Sequence, residues 1–330
     1  MSPLNKSITE RLTLDWADES QRITDVIRRK VSKDFKKRGL VVALSGGIDS
    51  STCAALAAHA VGPENVIALL MPERHSSEDT LALSQRAASA FGIKTIHQDI
   101  TDTLSVLGCY QLQEDTVKQV IPEFDKDWKF KINIPNILDE GSFRLFSIVA
   151  QSPDGRIIKA RLPANEYLQI VAATNFKQRV RRMYDYYHAD RLNYAVIGTP
   201  NRLEYDQGFF VKLGDGTSDI KPIAHLYKTQ VYALAAQLGV PDEILTRSPT
   251  TDTYSLAQSQ EEFYFSLPYN KMDICLYGLN NSIPTHKVAD EAELTLTQLE
   301  YVYRDIEQKR RTTRYLHLHN ILVEPIPEIQ

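Results

Sequence analysis

Between Ser45 and Ser51 the chain reads Ser-Gly-Gly-Ile-Asp-Ser-Ser, directly after the apolar run Leu40-Val-Val-Ala-Leu44. At the carboxyl end of a buried strand, such a turn and the helix after it aim their backbone N–H groups at one point, an anion site. Ser45, Gly46 and Gly47 would let the backbone approach an oxyanion, and Ser50 and Ser51 would add hydroxyl donors at the helix start. A kinase-type phosphate loop carries a lysine in GxxxxGK[ST], and this one has none. Asp49 stands in the loop instead, and a carboxylate beside phosphate makes sense when a divalent cation bridges them. Glycines also serve ordinary turns and Asp ordinary helix caps, so a purely structural reading stays open at this point.

The elements around this string must hold it at a strand end. Residues 40–44 read as a buried strand and 49–62 as a helix ended by Gly62. "NVIALLMP" is a second strand, "SEDTLALSQRAASAFGI" a helix and "KTIHQDI" a third strand. Strands alternating with helices, without strict two-residue alternation, predict a doubly wound parallel α/β sheet covered on both faces. Residues 1–102 would form the first half of that domain. The alternation breaks over 103–164, an ordered insertion in which "FRLFSIVAQSPDGRIIKARLP" predicts a β-hairpin around Ser-Pro-Asp-Gly. Residues 165–284 would complete the domain with a helix over 166–190, the strand "YAVIGTP" and a helix stopped by Gly239 and Pro241; 285–330 reads as a charged helical tail.

Composition narrows the partners. The 330 residues are 43% hydrophobic and 24% charged, as in a soluble globular protein with a sizeable core. A formal charge of −4 gives no footprint for nucleic acid, and the Arg and Lys of the helix over 20–38 read as one solvated helix face. The three cysteines, Cys53, Cys109 and Cys275, lack metal-ligand spacing and make no disulfide framework, so a reducing, cytoplasmic setting fits. No apolar run approaches a membrane span.

"LSGGIDSS" resembles the pyrophosphate-binding signature of the N-type ATP pyrophosphatases, which adenylate a substrate and release pyrophosphate. "NFKQRVRRMYDYY", "VIGTPNRLEYDQGFFVKLGDGTSDIKPIAHLYKTQVYALAAQLGVP" and "RSPTTDTYSLAQSQEE" are similar, in order, to motifs of the ammonia-dependent NAD synthetase family within that superfamily. "MPERHSSEDT" resembles the corresponding loop of glutamine-dependent members. The resemblance implies an adenine nucleotide alpha-hydrolase-like fold with ATP as substrate and Mg as cofactor. It implies Asp49 and Glu204 as magnesium carboxylates, Lys228 and Thr250 as phosphate contacts, and Asn175 and Arg179 as contacts to the dinucleotide. Asp215, in Gly-Asp-Gly, would lie near the nicotinate carboxyl and orient ammonia or accept its proton. Thr199 and Arg74 would meet ATP or pyrophosphate. Gln260 stands where the family pattern has an acid. Taken singly, Glu204 reads as a surface acid, Lys228 as a helix-start lysine and Asp215 as a tight-turn residue; the ordered motifs favour the functional roles.

The implied reaction is amidation of deamido-NAD by ATP and ammonia. A carboxylate is a poor acceptor for ammonia until it becomes an acyl adenylate, and no enzyme nucleophile is required. A related amide ligase acting on another carboxylate, and a non-catalytic nucleotide-binding module, are the alternatives; Asp49, Glu204 and Lys228 together weigh against the latter. With no glutaminase segment in the sequence, ammonia would arrive free or from a separate glutaminase. The family's two-fold interface and the aromatic investment of Tyr167, Met183, Tyr184, Tyr186 and Tyr187 imply a homodimer, with burial against the insertion as the other destination. Neutralising Asp49 or Glu204 is expected to abolish turnover with the fold intact.

Overall fold

A computed structural model of the chain describes residues 6–134, 146–248 and 253–329. In chain order, α1 (Ile8–Leu12) and α2 (Trp16–Arg29) precede β1 (Leu40–Ala43), α3 (Ile48–Val61), β2 (Val66–Leu70), α4 (Glu78–Ala90) and β3 (Lys94–His97). Next come α5 (Thr101–Val106), α6 (Cys109–Val120), β4 (Lys129–Asn133), β5 (Ser147–Gln151), β6 (Ile157–Arg161) and α7 (Ala164–Leu192). The chain then forms β7 (Ala195–Ile197), α8 (Arg202–Gln207), α9 (Lys228–Gln237) and α10 (Asp242–Leu245). It ends in α11 (Tyr269–Asn280), α12 (Thr285–Ala292) and α13 (Leu296–His317).

Four parallel strands lie in the order β3-β2-β1-β7. Their apolar runs follow from burial on both faces. Ile27 of α2, Leu56 of α3, Ala87 of α4 and Val231 of α9 pack on one face; Leu104 of α5, Tyr110 of α6 and Val180 of α7 pack on the other, against Val41, Ile67 and Leu69. The alanines of α3, buried along its length, let that helix lie close to the sheet. From β1 the chain winds outward to β2 and β3, and α7 then returns it to β7 on the other side of β1. The order therefore reverses between β1 and β7. Ligands of such sheets bind outside the carboxyl ends of the strands at that reversal.

The predicted hairpin forms as β5–β6, closed by the Gly155 N–H donating to the Ser152 carbonyl. The structure adds β4, antiparallel to β5, which makes a three-stranded sheet with its own core of Phe130, Ile132, Ile148 and Ala150. The stretch from 103, where alternation was read as lost, opens with the helices α5 and α6, and α6 packs along α7. The tail is no loose extension: α11, α12 and α13 share a core with α1 built on Leu276, Val288, Val302 and Ile306. Among the described residues, no helix is long and apolar enough to cross a membrane.

Candidate active site

A cavity of about 1330 Å³ opens at the β1/β7 reversal, and Ser45, Gly46, Gly47, Asp49, Ser50, Thr199 and Glu204 line it. Ligand pockets usually hold roughly 300–1,000 Å³, so this one has room for more than one nucleotide-sized ligand. Gly46 is required by both backbone and neighbours. Its φ is +71°, and a Cβ there would lie 2.8 Å from Leu83 Cβ and 3.0 Å from the Ser84 backbone nitrogen. The α4 helix thus packs directly against the turn. Gly47 caps α3, and Ser50 Oγ donates to the Gly47 carbonyl at 3.1 Å while lying 3.1 Å from Ser45 Oγ. Ser51 is fully buried, does not line the cavity, and its hydroxyl has no hydrogen-bond partner among the described residues.

Asp49, read as a loop residue, occupies the first turn of α3, where a carboxylate meets the positive end of the helix dipole. Its Oδ2 lies 2.5 Å from the Nζ of Lys228, which α9 carries at its first position and which is fully buried. Burial disfavours the Lys228 charge, but Asp49 and Glu204 outweigh it and hold the ammonium above its ordinary range. Glu204 is also pushed up, well above the carboxylate range, by burial and by the negative charge of Asp49, which in its case favours the neutral form. Two acids and one cation therefore sit together at the reversal, with Lys228 offsetting only part of the repulsion between the acids.

Asn201 had no place in the sequence reading and joins the two acids. Its Nδ2 donates to Asp49 Oδ1 at 2.9 Å, its backbone N–H donates to Glu204 Oε2 at 3.1 Å, and its Oδ1 accepts from the Glu204 N–H at 3.1 Å. The spacing Asn-x-x-Glu is that of a capping box, the sequence feature that would have found it. Gln260, at the position where an acid was expected, donates to Glu204 Oε1 at 3.4 Å and accepts from the Tyr269 hydroxyl at 2.9 Å. An acid at this position would add a third negative group beside Glu204.

Asn175 and Arg179, on α7, and Asp215 line the same cavity. The Val211 N–H donates to Asp215 Oδ1 at 2.7 Å, so this acid also ties its own turn; burial raises its carboxyl above the usual range. Arg182 Nε donates to the neighbouring Gly214 carbonyl at 3.0 Å, fixing that turn to α7. Arg74 does not line the cavity: it lies over the Tyr110 ring, 4.1 Å from the centroid, and 3.9 Å from Glu114. Thr250 lies outside the described residues.

A second buried cluster was not anticipated. Lys177, two residues from Asn175 on α7, donates to Glu73 Oε1 at 3.0 Å and to the Thr253 carbonyl at 3.0 Å, and lies 3.1 Å from His75 Nδ1. Tyr110 OH donates to the other Glu73 oxygen at 2.8 Å. Burial drives His75 down to about 4, which leaves it neutral and able to accept from the Lys177 ammonium. One lysine thereby ties the loop after β2 and the segment around Thr253 to the helix that lines the cavity.

Two carboxylates with Asn201 between them fit a magnesium ion, which takes one or two protein acids and completes its shell with water and substrate phosphate. Among the described residues no cluster of three or more His, Cys, Asp or Glu is poised as a metal site, consistent with that sparse donor set.

Comparison with known proteins gives the family and the fold. The NAD synthase family model matches residues 19–124 and 150–315. The NH(3)-dependent NAD(+) synthetase of Rhizobium meliloti is 53% identical over 321 residues, 97% of this chain and 96% of that one. The enzyme of the same name from Thermotoga maritima is 31% identical over 88% of this chain and 96% of its own. Two solved structures share the fold at lower identity. The NMN synthetase of Francisella tularensis has a TM-score of 0.65 at 20% identity, covering 94% of this chain and 99% of that one. The NH3-dependent NAD synthetase of Campylobacter jejuni has a TM-score of 0.61 at 22% identity, covering 94% and 100%. With a family model matched over most of its length and more than half its residues shared with a relative over 97% of the chain, on a parallel sheet with a cavity at its reversal, this chain belongs to the NAD synthase family.

Proposed function

We propose that the chain is an ammonia-dependent amide ligase that converts deamido-NAD, ATP and ammonia into NAD, AMP and pyrophosphate. The observation that carries this reading is that Asp49 and Glu204 line one cavity beside the glycine turn, with Lys228 paired to Asp49 from the core behind it rather than lining the cavity as a phosphate contact. The nest over Ser45–Ser50 would take the β- and γ-phosphates through backbone N–H groups. Asp49 and Glu204 would hold magnesium, which when bound offsets charge on the phosphate oxygens. Lys228 adds a fixed positive charge just behind Asp49 as pyrophosphate departs. The acceptor carboxylate attacks the α-phosphorus and the bond to pyrophosphate breaks. Ammonia then attacks the acyl carbon of the adenylate, AMP leaves, and Asp215 takes the released proton; its raised pKa suits that role.

The nitrogen source follows from the cysteines. All three are buried, and burial raises their thiols, Cys53 well above the ordinary value, Cys109 to about 11 and Cys275 to about 12. None is a nucleophile for releasing ammonia from glutamine. These reduced thiols also fit the cytoplasm. Pyrophosphate release by the purified chain with magnesium and ATP is expected with ammonium and deamido-NAD, and to be absent when glutamine replaces ammonium. A panel with nicotinate mononucleotide and other carboxylates tests the acceptor: a higher kcat/KM for any of them than for deamido-NAD would overturn the assignment.

The reading also makes the chain a homodimer through α7. Tyr184 and Tyr186 pack against the sheet, Tyr167 stacks on Phe146 and the Tyr187 ring meets His188 edge-on. Leu168, Met183 and Tyr187 remain exposed at 62%, 57% and 60%. An apolar face of this kind on one helix suits a second copy. Sedimentation is expected to show a dimer at micromolar concentration, and Met183→Glu with Tyr187→Glu to give monomer; a wild-type monomer would overturn it.

A further inference from the structure

The turn that carries Asp215 is tight and strained. Its Val211 carbonyl accepts from both the Gly214 and the Gly216 N–H, and Leu213 takes φ +61°. A leucine in the left-handed region persists only where its surroundings hold it, and the Leu213 side chain is itself 67% exposed. The hold comes from α7. A Cβ on Gly214 would lie 2.9 Å from Gln178 Cβ, so the turn rests directly on the helix. Two arginines of α7 then reach its carbonyls: Arg179 Nε donates to the Lys212 oxygen at 3.4 Å, and Arg182 Nε to the Gly214 oxygen at 3.0 Å. Three residues further along the helix, Asp185 Oδ2 lies 3.0 Å from Arg182 Nη1, with both side chains buried. Neither Asp185 oxygen has a hydrogen-bond partner among the described residues, so its charge answers chiefly to that guanidinium. Burial raises its carboxyl to about 6, while Arg182 and Arg181 pull it down, which leaves it mostly ionised at neutral pH.

A buried ion pair adds little net stability, because desolvation of both charges offsets their attraction. Its effect is on geometry: a planar guanidinium fixed at one edge by a carboxylate aims its remaining donors in set directions. We infer that Asp185 and Arg182 are positioning residues for the ammonia step, Asp185 fixing the Arg182 guanidinium and Arg182 fixing the Gly214 carbonyl and with it the Asp215 carboxylate. The inference rests on the proposed amidation, in which Asp215 takes the proton released when ammonia attacks the adenylate. Arg182 also acts on Asp215 through its charge, which offsets part of the rise that burial causes. The acids and lysine at the phosphate end of the cavity stand on α3, α8 and α9, so adenylation and pyrophosphate release are not expected to depend on the pair.

The test separates the two half-reactions on the full chain with magnesium. Without ammonium, ATP and deamido-NAD are expected to give a stoichiometric burst of pyrophosphate, and ammonium added afterwards to release NAD. Arg182→Met is expected to leave the burst rate unchanged and to slow NAD formation from the preformed adenylate about 100-fold, the effect of misplacing a reacting group by about 1 Å. Asp185→Asn, which keeps the size and leaves Arg182 in place, should slow the same step less. The double variant should be no slower than Arg182→Met alone, because a residue that acts only through Arg182 adds nothing once Arg182 is gone. Should Arg182→Met melt early, Asp185→Asn carries the comparison of half-reactions. Equal slowing of both half-reactions, no slowing of either, additive losses in the double variant, or a rise in KM for deamido-NAD that accounts for the loss would each overturn the inference. A wild type that releases no pyrophosphate with deamido-NAD would instead sink the amidation reading itself, so the two failures are told apart.

Discussion

Glu204→Gln is expected to lower kcat by about 1,000-fold or more while the protein melts within a few degrees of wild type. The rate effect follows from losing the carboxylate that would ionise on binding magnesium, since losing one well-placed electrostatic group costs on the order of 10²–10³ in rate. Stability is kept because burial and Asp49 already push Glu204 toward its neutral form, which glutamine imitates in size and shape. The substituted amide can still accept from the Asn201 N–H through its carbonyl oxygen, so the capping box survives. Asp49→Asn should lose activity to a similar degree, but the structure revises the expectation of an intact fold. It would strip the fully buried Lys228 of its ion-pair partner, and breaking a buried pair costs about 3–5 kcal/mol. Single-turnover pyrophosphate release and thermal melting, run together, check both variants. Near-normal magnesium-dependent turnover in Glu204→Gln would remove Glu204 from the metal site.

Lys228→Met is expected to be the most damaging single change, with turnover lost and stability down by about 3–5 kcal/mol. Methionine fills the stem's volume, so the loss reports charge rather than packing. Without the ammonium, Asp49 and Glu204 face each other with no fixed countercharge, and burial presses Glu204 further toward the neutral acid. Lys228→Arg should not rescue it, because the side chain is fully enclosed and the larger guanidinium has no space to form its fork. Added magnesium is expected to recover part of the stability of Lys228→Met, since a divalent cation can replace the lost charge between the acids, without recovering turnover. Full activity in Lys228→Arg, followed by pyrophosphate release, would show that charge alone suffices there.

The glycine turn was legible in the sequence because every part of it is local. An apolar strand, a glycine that must take positive φ beside α4, and a helix start fall within a dozen residues, so residue type and spacing carry the geometry. The parallel sheet was legible for the same reason, since burial on both faces writes itself into β1 and β2 as unbroken apolar runs. The neighbours of Asp49 were not. Asn201 and Lys228 lie 152 and 179 residues away in the chain and meet Asp49 only because β7 is laid beside β1. The family resemblance supplied Lys228, but its burial and its lock on Asp49 are tertiary facts. Ser51 and Arg74 show the converse: residue type suggested ligand contact, whereas helix phase turned one into the core and a tyrosine ring drew the other aside. Lys177 reads in sequence as one cation of a basic helix, yet packing buries it against Glu73, His75 and the Thr253 carbonyl. The sequence alone determined which groups could bind phosphate, because a backbone nest is made by adjacent residues. Only the tertiary structure decided which charges face each other, because pairing across that separation depends on the order of the strands.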